Sequence, residues 1–204
     1  SPAIVAQFVH VLARDAHRYR NVGEVQRLMK AAAPLVAAAD DPILTAWQSY
    51  NEAGQLDFDG RFEEALTLMR GAVRAEYFSA LTPVLRSKLL REAGDAALGS
   101  QLYPEALGYF AQRLENCGDH ERCRVETKDG IATVMRLMSE EGLVTTDEAV
   151  AHTRRVYDLA RAIGFPSGEI LAACELGALT AAPESLEWNQ RCIERATGAS
   201  CVEF

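Results

Sequence analysis

The residues with the clearest capacity for chemistry lie between positions 117 and 123, where Cys117 and Cys123 flank His120. Thiolate and imidazole are ligands that zinc prefers, and Asp119 or Glu121 could supply a fourth. The alternative is a disulfide that joins the two cysteines across a turn. Because five residues between the cysteines is not a usual zinc spacing, the pattern favours the disulfide. We expect no bound metal.

Cys192 and Cys201 form the second candidate pair, and they bracket a segment that ends in Gly198-Ala199-Ser200. Cys174 stands alone in an apolar run. This arrangement predicts two disulfides and one buried thiol, which suits an oxidising compartment such as the periplasm. We therefore expect a periplasmic or otherwise extracytoplasmic protein. The alternative is a cytoplasmic protein with five reduced cysteines.

Motifs for catalysis are missing from the sequence. It contains no glycine-rich phosphate loop, no nucleophile elbow and no His-Glu-x-x-His metal helix. The segment Asp57-Phe58-Asp59-Gly60 begins like a calcium loop, but Leu66 then stands where the bidentate glutamate is required. We expect no enzymatic activity and no cofactor.

The overall charge narrows the range of partners. The chain has 29 acidic and 21 basic residues, for a formal net charge of −8. General binding to nucleic acid or to anionic lipid requires a basic surface. No run reaches the roughly 18 apolar residues of a membrane-spanning helix. We expect no nucleic-acid partner and no direct membrane insertion.

Helical periodicity runs along nearly the whole chain, and no segment shows the strict alternation of a β-strand. The breaks fall at capping and turn residues such as Asp41-Pro42 and Gly164-Phe165-Pro166. The pattern predicts an all-α protein with ten helices, over residues 3–19, 21–39, 42–58, 61–79, 83–99, 103–116, 121–141, 146–164, 167–181 and 183–197.

Small residues recur at a fixed spacing within pairs of these helices. Ala53 and Ala65 are 12 residues apart across Gly60-Arg61-Phe62, and Gly94 and Ala106 repeat that spacing with Tyr103 in place of Phe62. A small residue at such a position lets two antiparallel helices approach closely. The pattern therefore predicts five helix hairpins, over about 3–39, 42–79, 83–116, 121–164 and 167–197.

These residues resemble the tetratricopeptide repeat (TPR), in which Gly-x-aromatic at the turn is followed by alanine in the second helix. The resemblance is best over residues 44–79 and 83–116, and the repeat of about 40 residues is longer than the usual 34. It implies a right-handed superhelix of about five antiparallel hairpins, a TPR-like solenoid that forms one domain over residues 1–204. It also implies a concave groove, lined by the first helix of each hairpin, that binds peptides.

Counting from the small residue of each first helix assigns aromatic and charged residues to this groove. An aromatic pair beside a cationic strip would suit a protein or peptide with acidic residues and an apolar anchor. The expected groove residues are Arg14, His17, Trp47, Tyr50, Lys88, Arg91, Asp95, Arg124 and Lys128.

Two functional hypotheses follow from the resemblance. The first is a non-catalytic scaffold that binds protein or peptide, as the sensor or interaction module of a bacterial signalling or envelope system. The second is a small-molecule-sensing regulatory domain of a larger signalling protein or transcription regulator, with a cavity between the helices of residues 42–58 and 121–141. Exposed ends of a repeat array also make self-association plausible.

Overall fold

A computed structural model describes residues 22–198. The predicted helix over 3–19, the groove candidates Arg14 and His17, and Cys201 lie outside the described residues. Within this range the chain forms nine α-helices and no β-strand: α1 (Val22–Ala39), α2 (Pro42–Phe58), α3 (Phe62–Arg74), α4 (Pro83–Gly99), α5 (Tyr103–Cys117), α6 (Glu121–Glu140), α7 (Thr146–Ala162), α8 (Pro166–Leu179) and α9 (Glu184–Gly198).

Side-chain caps fix where several helices begin. Asp41 accepts a hydrogen bond from the N–H of Ile43 at the start of α2, over 2.8 Å, and Thr82 accepts one from the N–H of Leu85 at the start of α4, over 3.3 Å. Thr145 and Glu148 form a reciprocal capping box at the start of α7. Each cap satisfies an N–H that has no partner within its own helix.

One predicted helix is too long. The sequence pattern places a helix over residues 61–79, whereas α3 ends at Arg74 and a separate 3-10 helix covers Glu76–Ala80. Between them Ala75 has an extended backbone, with ψ of 144°. A helix cannot continue through that conformation. The apolar periodicity of Tyr77 and Phe78 belongs to the short helix instead.

The small anchor residues predicted from the repeats are buried where the hairpin helices meet. Ala53, Ala65, Ala106 and Ala149 are each 0% exposed, and Val25 is 2% exposed. Helix α2 packs against both α3 and α4, and α3 packs against α4. This is the neighbour pattern of stacked antiparallel hairpins.

The chain divides into two compact units, the first ending at Tyr109 and the second beginning at Phe110. In the first unit, Leu44, Leu66, Met69 and Leu89 are at most 1% exposed. In the second, α6, α7 and α8 surround a core that includes Val125, Val156 and Leu176, with Tyr157 and Trp188 at its edge. Among residues 22–198, no helix combines the length and apolar character that crossing a bilayer requires.

Candidate functional site

Helices α2 and α4 of the first unit lie side by side and run in the same direction. Three pairs of residues match along them: Tyr50 with Lys88, Gly54 with Glu92, and Asp57 with Asp95. The members of each pair are 38 residues apart, so the register is constant over about two helical turns. We call the surface formed by these six residues and Trp47 the α2–α4 face. All seven residues are partly buried.

An aromatic pair lies at the N-terminal end of this face. The rings of Trp47 and Tyr50 meet edge to face, with centres 5.8 Å apart. The Nζ atom of Lys88 lies 5.8 Å from the centre of the Trp47 ring and 5.2 Å from the centre of the Tyr50 ring. Aromatic faces attract cations at these distances. The three side chains therefore form one half-buried cluster.

Glu92 occupies the middle of the face. Its Oε1 atom lies 3.4 Å from the position that a Cβ atom on Gly54 would take, so the carboxylate lies beside Gly54 at about van der Waals distance from that position. Among the described residues, Glu92 makes no hydrogen bond. Burial raises the pKa of Glu92 to about 8, helped by the negative charges of Asp95 and Asp57 and opposed by Arg91 and Lys88.

Two aspartates lie at the C-terminal end of the face. Burial raises the pKa of Asp57, and the charge of Asp95 adds to that shift. Arg91, at the exposed edge of α4, lies 3.4 Å from Asp95 through its Nε atom. The face therefore changes along its length from aromatic and cationic to acidic. Burial is the main cause of both raised pKa values, and neighbouring negative charge adds to it.

The structure brings five of the expected groove residues together. Trp47, Tyr50, Lys88 and Asp95 belong to the α2–α4 face, and Arg91 lies at its edge. Arg124 and Lys128 lie on α6 in the second unit. There the Arg124 side chain donates to the Gly118 carbonyl over 3.2 Å, and the Lys128 carbonyl contacts His152 Nε2 at 3.1 Å.

Sequence reasoning missed Glu92 and Gly54. The counting rule starts from the small residue of one repeat at a time, so it finds positions on a single helix and not the pairs between helices. A signal was present, because the spacing of 38 that joins Tyr50 to Lys88 also joins Gly54 to Glu92. Glu92 also follows Lys88 by four residues, which places both on one side of α4.

The second unit carries an acidic residue at the equivalent repeat position. Glu175 on α8 lies two residues before Gly177, just as Glu92 lies two residues before Gly94. Arg136 on α6 donates to Glu175 over 2.5 Å, and the Thr133 hydroxyl lies 3.3 Å from the same carboxylate. Arg136 also pairs with Glu140 over 2.6 Å. In this unit the carboxylate is already paired with a cation from the neighbouring helix.

The cysteines pair differently from the prediction in one respect. Cys117 and Cys123 are bonded, with Cα atoms 5.6 Å apart, as the sequence indicates. Cys192 is bonded to Cys174, with Cα atoms 5.2 Å apart, and not to Cys201. Helices α8 and α9 pack together, so the residue predicted to be an isolated buried thiol faces Cys192 across their interface.

The zinc alternative is not supported by the position of His120. Its Nδ1 atom accepts a hydrogen bond from the N–H of Cys123 over 3.2 Å, which caps the start of α6. The sulfur atoms on either side are bonded to each other. Within residues 22–198, no three histidine, cysteine, aspartate or glutamate side chains are grouped in a way that could hold a metal ion.

An open cavity of about 400 Å³ lies at the turns of the first unit, and it shares no residue with the α2–α4 face. Residues 60–64 line one side, and residues 99–101 line the other. Its rim includes an exposed ion pair between Arg61 and Glu64, with 2.6 Å between their charged atoms. The cavity is a surface depression between hairpin turns.

Comparison with known proteins gives matches in structure only. No known protein-family profile matches the sequence, and no curated protein matches it. A Pyrococcus horikoshii signal transduction ATPase with numerous domains (STAND), which has a tetratricopeptide repeat sensor, matches 98% of this chain with a TM-score of 0.70 and 11% identity. The match covers 31% of that protein, so this chain spans less than a third of its length.

Two further structures contain the nearly identical TPR-like repeats of a putative kinesin light chain from Podosopora anserina. The first matches 98% of this chain and 99% of its own length, with a TM-score of 0.70 and 16% identity. The second, a variant of the same protein, matches 97% of this chain and 96% of its own length, with the same TM-score and identity. At sequence identities of 11% and 16%, these matches show that the proteins share a fold. The chain has an all-α, TPR-like helical-repeat fold.

Proposed function

We propose that this chain is a non-catalytic scaffold that binds a protein or peptide, and that its first unit binds a segment of the partner on the α2–α4 face. The observation that carries the proposal is the half-buried cluster of Trp47, Tyr50 and Lys88, which continues into the carboxylates of Glu92 and Asp95. Partly exposed tryptophan and tyrosine beside charged groups are the residue types that dominate binding energy at protein interfaces. The TPR-like fold supports the same interpretation, because parallel first helices form an extended binding surface.

We further propose that this scaffold is the sensor or interaction module of a bacterial signalling or envelope system. The sensor part of this proposal is supported by the likeness to the Pyrococcus horikoshii STAND protein, a signal transduction ATPase with a tetratricopeptide repeat sensor. The two bonded cysteine pairs support an extracytoplasmic location, because disulfides persist in oxidising compartments.

Selection from a phage-displayed library of random dodecapeptides against the full chain tests the binding proposal. We expect recovered peptides to bind the wild type and to lose tenfold or more in affinity for Trp47→Ala, because truncating a buried aromatic anchor is costly. The matched control is Leu186→Ala, a similar truncation of a residue on α9 that is 66% exposed. Far-ultraviolet circular dichroism and thermal melting establish that each variant is folded.

The outcomes separate clearly. Peptides that need Trp47 and are indifferent to Leu186 support the α2–α4 face. Peptides that bind Trp47→Ala as tightly as they bind the wild type contradict the assignment of the face. A selection that recovers no binding peptide contradicts the proposal of a peptide-binding scaffold.

A further inference from the structure

Glu92 and Glu175 stand at equivalent positions in two repeats, but among residues 22–198 only Glu175 has a cation bonded to its carboxylate. Glu175 is 2.5 Å from the Arg136 guanidinium and also contacts Thr133. Glu92 makes no hydrogen bond among the described residues. The difference lies in the neighbouring helix, where α6 supplies an arginine to Glu175 and α2 presents Gly54 to Glu92.

The charges around Glu92 are unbalanced. Asp95 on its own helix and Asp57 on α2 both add negative potential at its carboxylate. In the part of the chain that the structure describes, the two cations that act on Glu92 also have other partners: Lys88 lies over the aromatic rings, and Arg91 pairs with Asp95. A half-buried carboxylate without a donor is unfavourable in its charged form. A cation that approached it would favour the charged form, so its binding would be accompanied by loss of the proton from Glu92.

The aromatic pair gives a second, independent indication of the ligand. Trp47 and Tyr50 already hold one cation, the ammonium group of Lys88, over both rings. A basic side chain that reached Glu92 would have the same pair beside it, and its aliphatic stem could pack on them. Gly54 carries no side chain beside the carboxylate.

We propose that the α2–α4 face binds a lysine or arginine side chain of the partner peptide, with Glu92 as its counter-ion and Gly54 as the floor of the site. This inference rests on the proposed function, and it specifies the charge of the side chain that the α2–α4 face binds. The basic side chain takes the place that Arg136 fills for Glu175. The proposed ligand side chain is positively charged. The sequence alone predicts the opposite, an acidic peptide that would contact the lysine and arginine residues of the groove.

The test uses peptides recovered by the selection described above. We expect lysine or arginine to be enriched at one peptide position, and replacing that residue by glutamine to weaken binding to the wild type by about tenfold. Glu92→Gln in the full chain should produce a similar loss. The two losses should not add, because each removes the same contact. Glu63→Gln, which removes an exposed charge from the same unit, should leave the affinity unchanged.

Each result has a definite meaning. Non-additive losses at Glu92 and at the basic peptide residue support the proposal. Peptides that need Trp47 but bind Glu92→Gln as tightly as they bind the wild type overturn it, and the proposed function then stands. Peptides whose binding depends on acidic residues also overturn it. The peptide substitution is measured on the wild type, so the test does not depend on the folding of Glu92→Gln.

Discussion

The carboxylate of Glu92 lies against Gly54 on the neighbouring helix, with 3.4 Å between Oε1 and the point where a Cβ atom on Gly54 would stand. The acidic group is half-buried at this position, and no described residue donates to it. In our proposal, a basic side chain of the partner approaches the carboxylate at this position. The Glu92 carboxylate is therefore expected to affect both the stability of the first unit and the charge of the ligand that the unit binds.

Stability should fall as the pH rises. Because the pKa of Glu92 is raised from 4.5 to about 8 in the folded chain, the folded state binds more protons than the unfolded state between these values. The stabilising effect is complete below pH 4.5 and is lost as the pH passes through about 8. Denaturant unfolding should show a loss of about 2 kcal/mol or more between about pH 5 and pH 8.

Glu92→Gln should remove most of this loss, because an amide does not ionise. Glu63→Gln should retain it, since Glu63 is exposed. Equal pH dependence in the wild type and in Glu92→Gln would show that Glu92 titrates as it does in the unfolded chain.

Lys88 distinguishes a basic ligand from an acidic one. If the partner presents lysine or arginine, Lys88→Met should strengthen peptide binding a few-fold, because it removes a like charge and uncovers the rings of Trp47 and Tyr50. Isothermal titration calorimetry measures the change. A tenfold loss of affinity would instead mean that Lys88 contacts an acidic group of the peptide.

A glycine in the second unit is required by packing. A Cβ atom on Gly130 would lie 2.9 Å from two carbon atoms of the Phe110 ring, and Phe110 is only 1% exposed. Gly130→Ala should therefore lower the free energy of unfolding by about 1–3 kcal/mol. Gly71→Ala is the control, because nothing lies within 4 Å of its Cβ position. That variant should be more stable by about 0.5–1 kcal/mol, and similar changes in the two variants would contradict the packing argument.

The cysteine pairing can be established by mass spectrometry of the unreduced protein after proteolysis. We expect one linked peptide pair to contain Cys117 with Cys123 and another to contain Cys174 with Cys192. Replacing both Cys174 and Cys192 by alanine should cost about 3 kcal/mol, because the bond closes a loop of moderate length. A linked peptide that contains Cys192 and Cys201 would contradict the pairing.

The sequence predicted the hairpins because their causes are local. Alanine or glycine must stand where two helices touch, so Ala53, Ala65 and Ala106 mark the hairpins whatever lies around them. The end of α3 was not predictable in this way, since Tyr77 and Phe78 fit the apolar pattern of a longer helix. The turn residues between Cys192 and Cys201 favoured that pairing, whereas the pairing of Cys192 with Cys174 depends on how α8 and α9 pack.

The site was only partly predictable. Trp47, Tyr50 and Lys88 are recognisable from their residue types and their positions in the repeat. Glu92 is not, because an acidic residue in a helix is usually exposed. Its carboxylate lies beside Gly54, which belongs to another hairpin. To predict this contact, one must know which residues of α2 and α4 lie side by side. The apolar periodicity of a single helix does not give that information.

The two tryptophans allow the most direct test of the binding face, because the chain contains no others. Trp47 belongs to the α2–α4 face, whereas the Trp188 indole packs on Tyr157, 5.1 Å between ring centres, and donates to Glu184 over 2.9 Å. We would titrate a selected peptide into the protein and follow the two indole N–H resonances by NMR. We expect the Trp47 signal to shift to saturation while the Trp188 signal stays in place. A peptide that binds while only the Trp188 signal moves would contradict binding at the α2–α4 face.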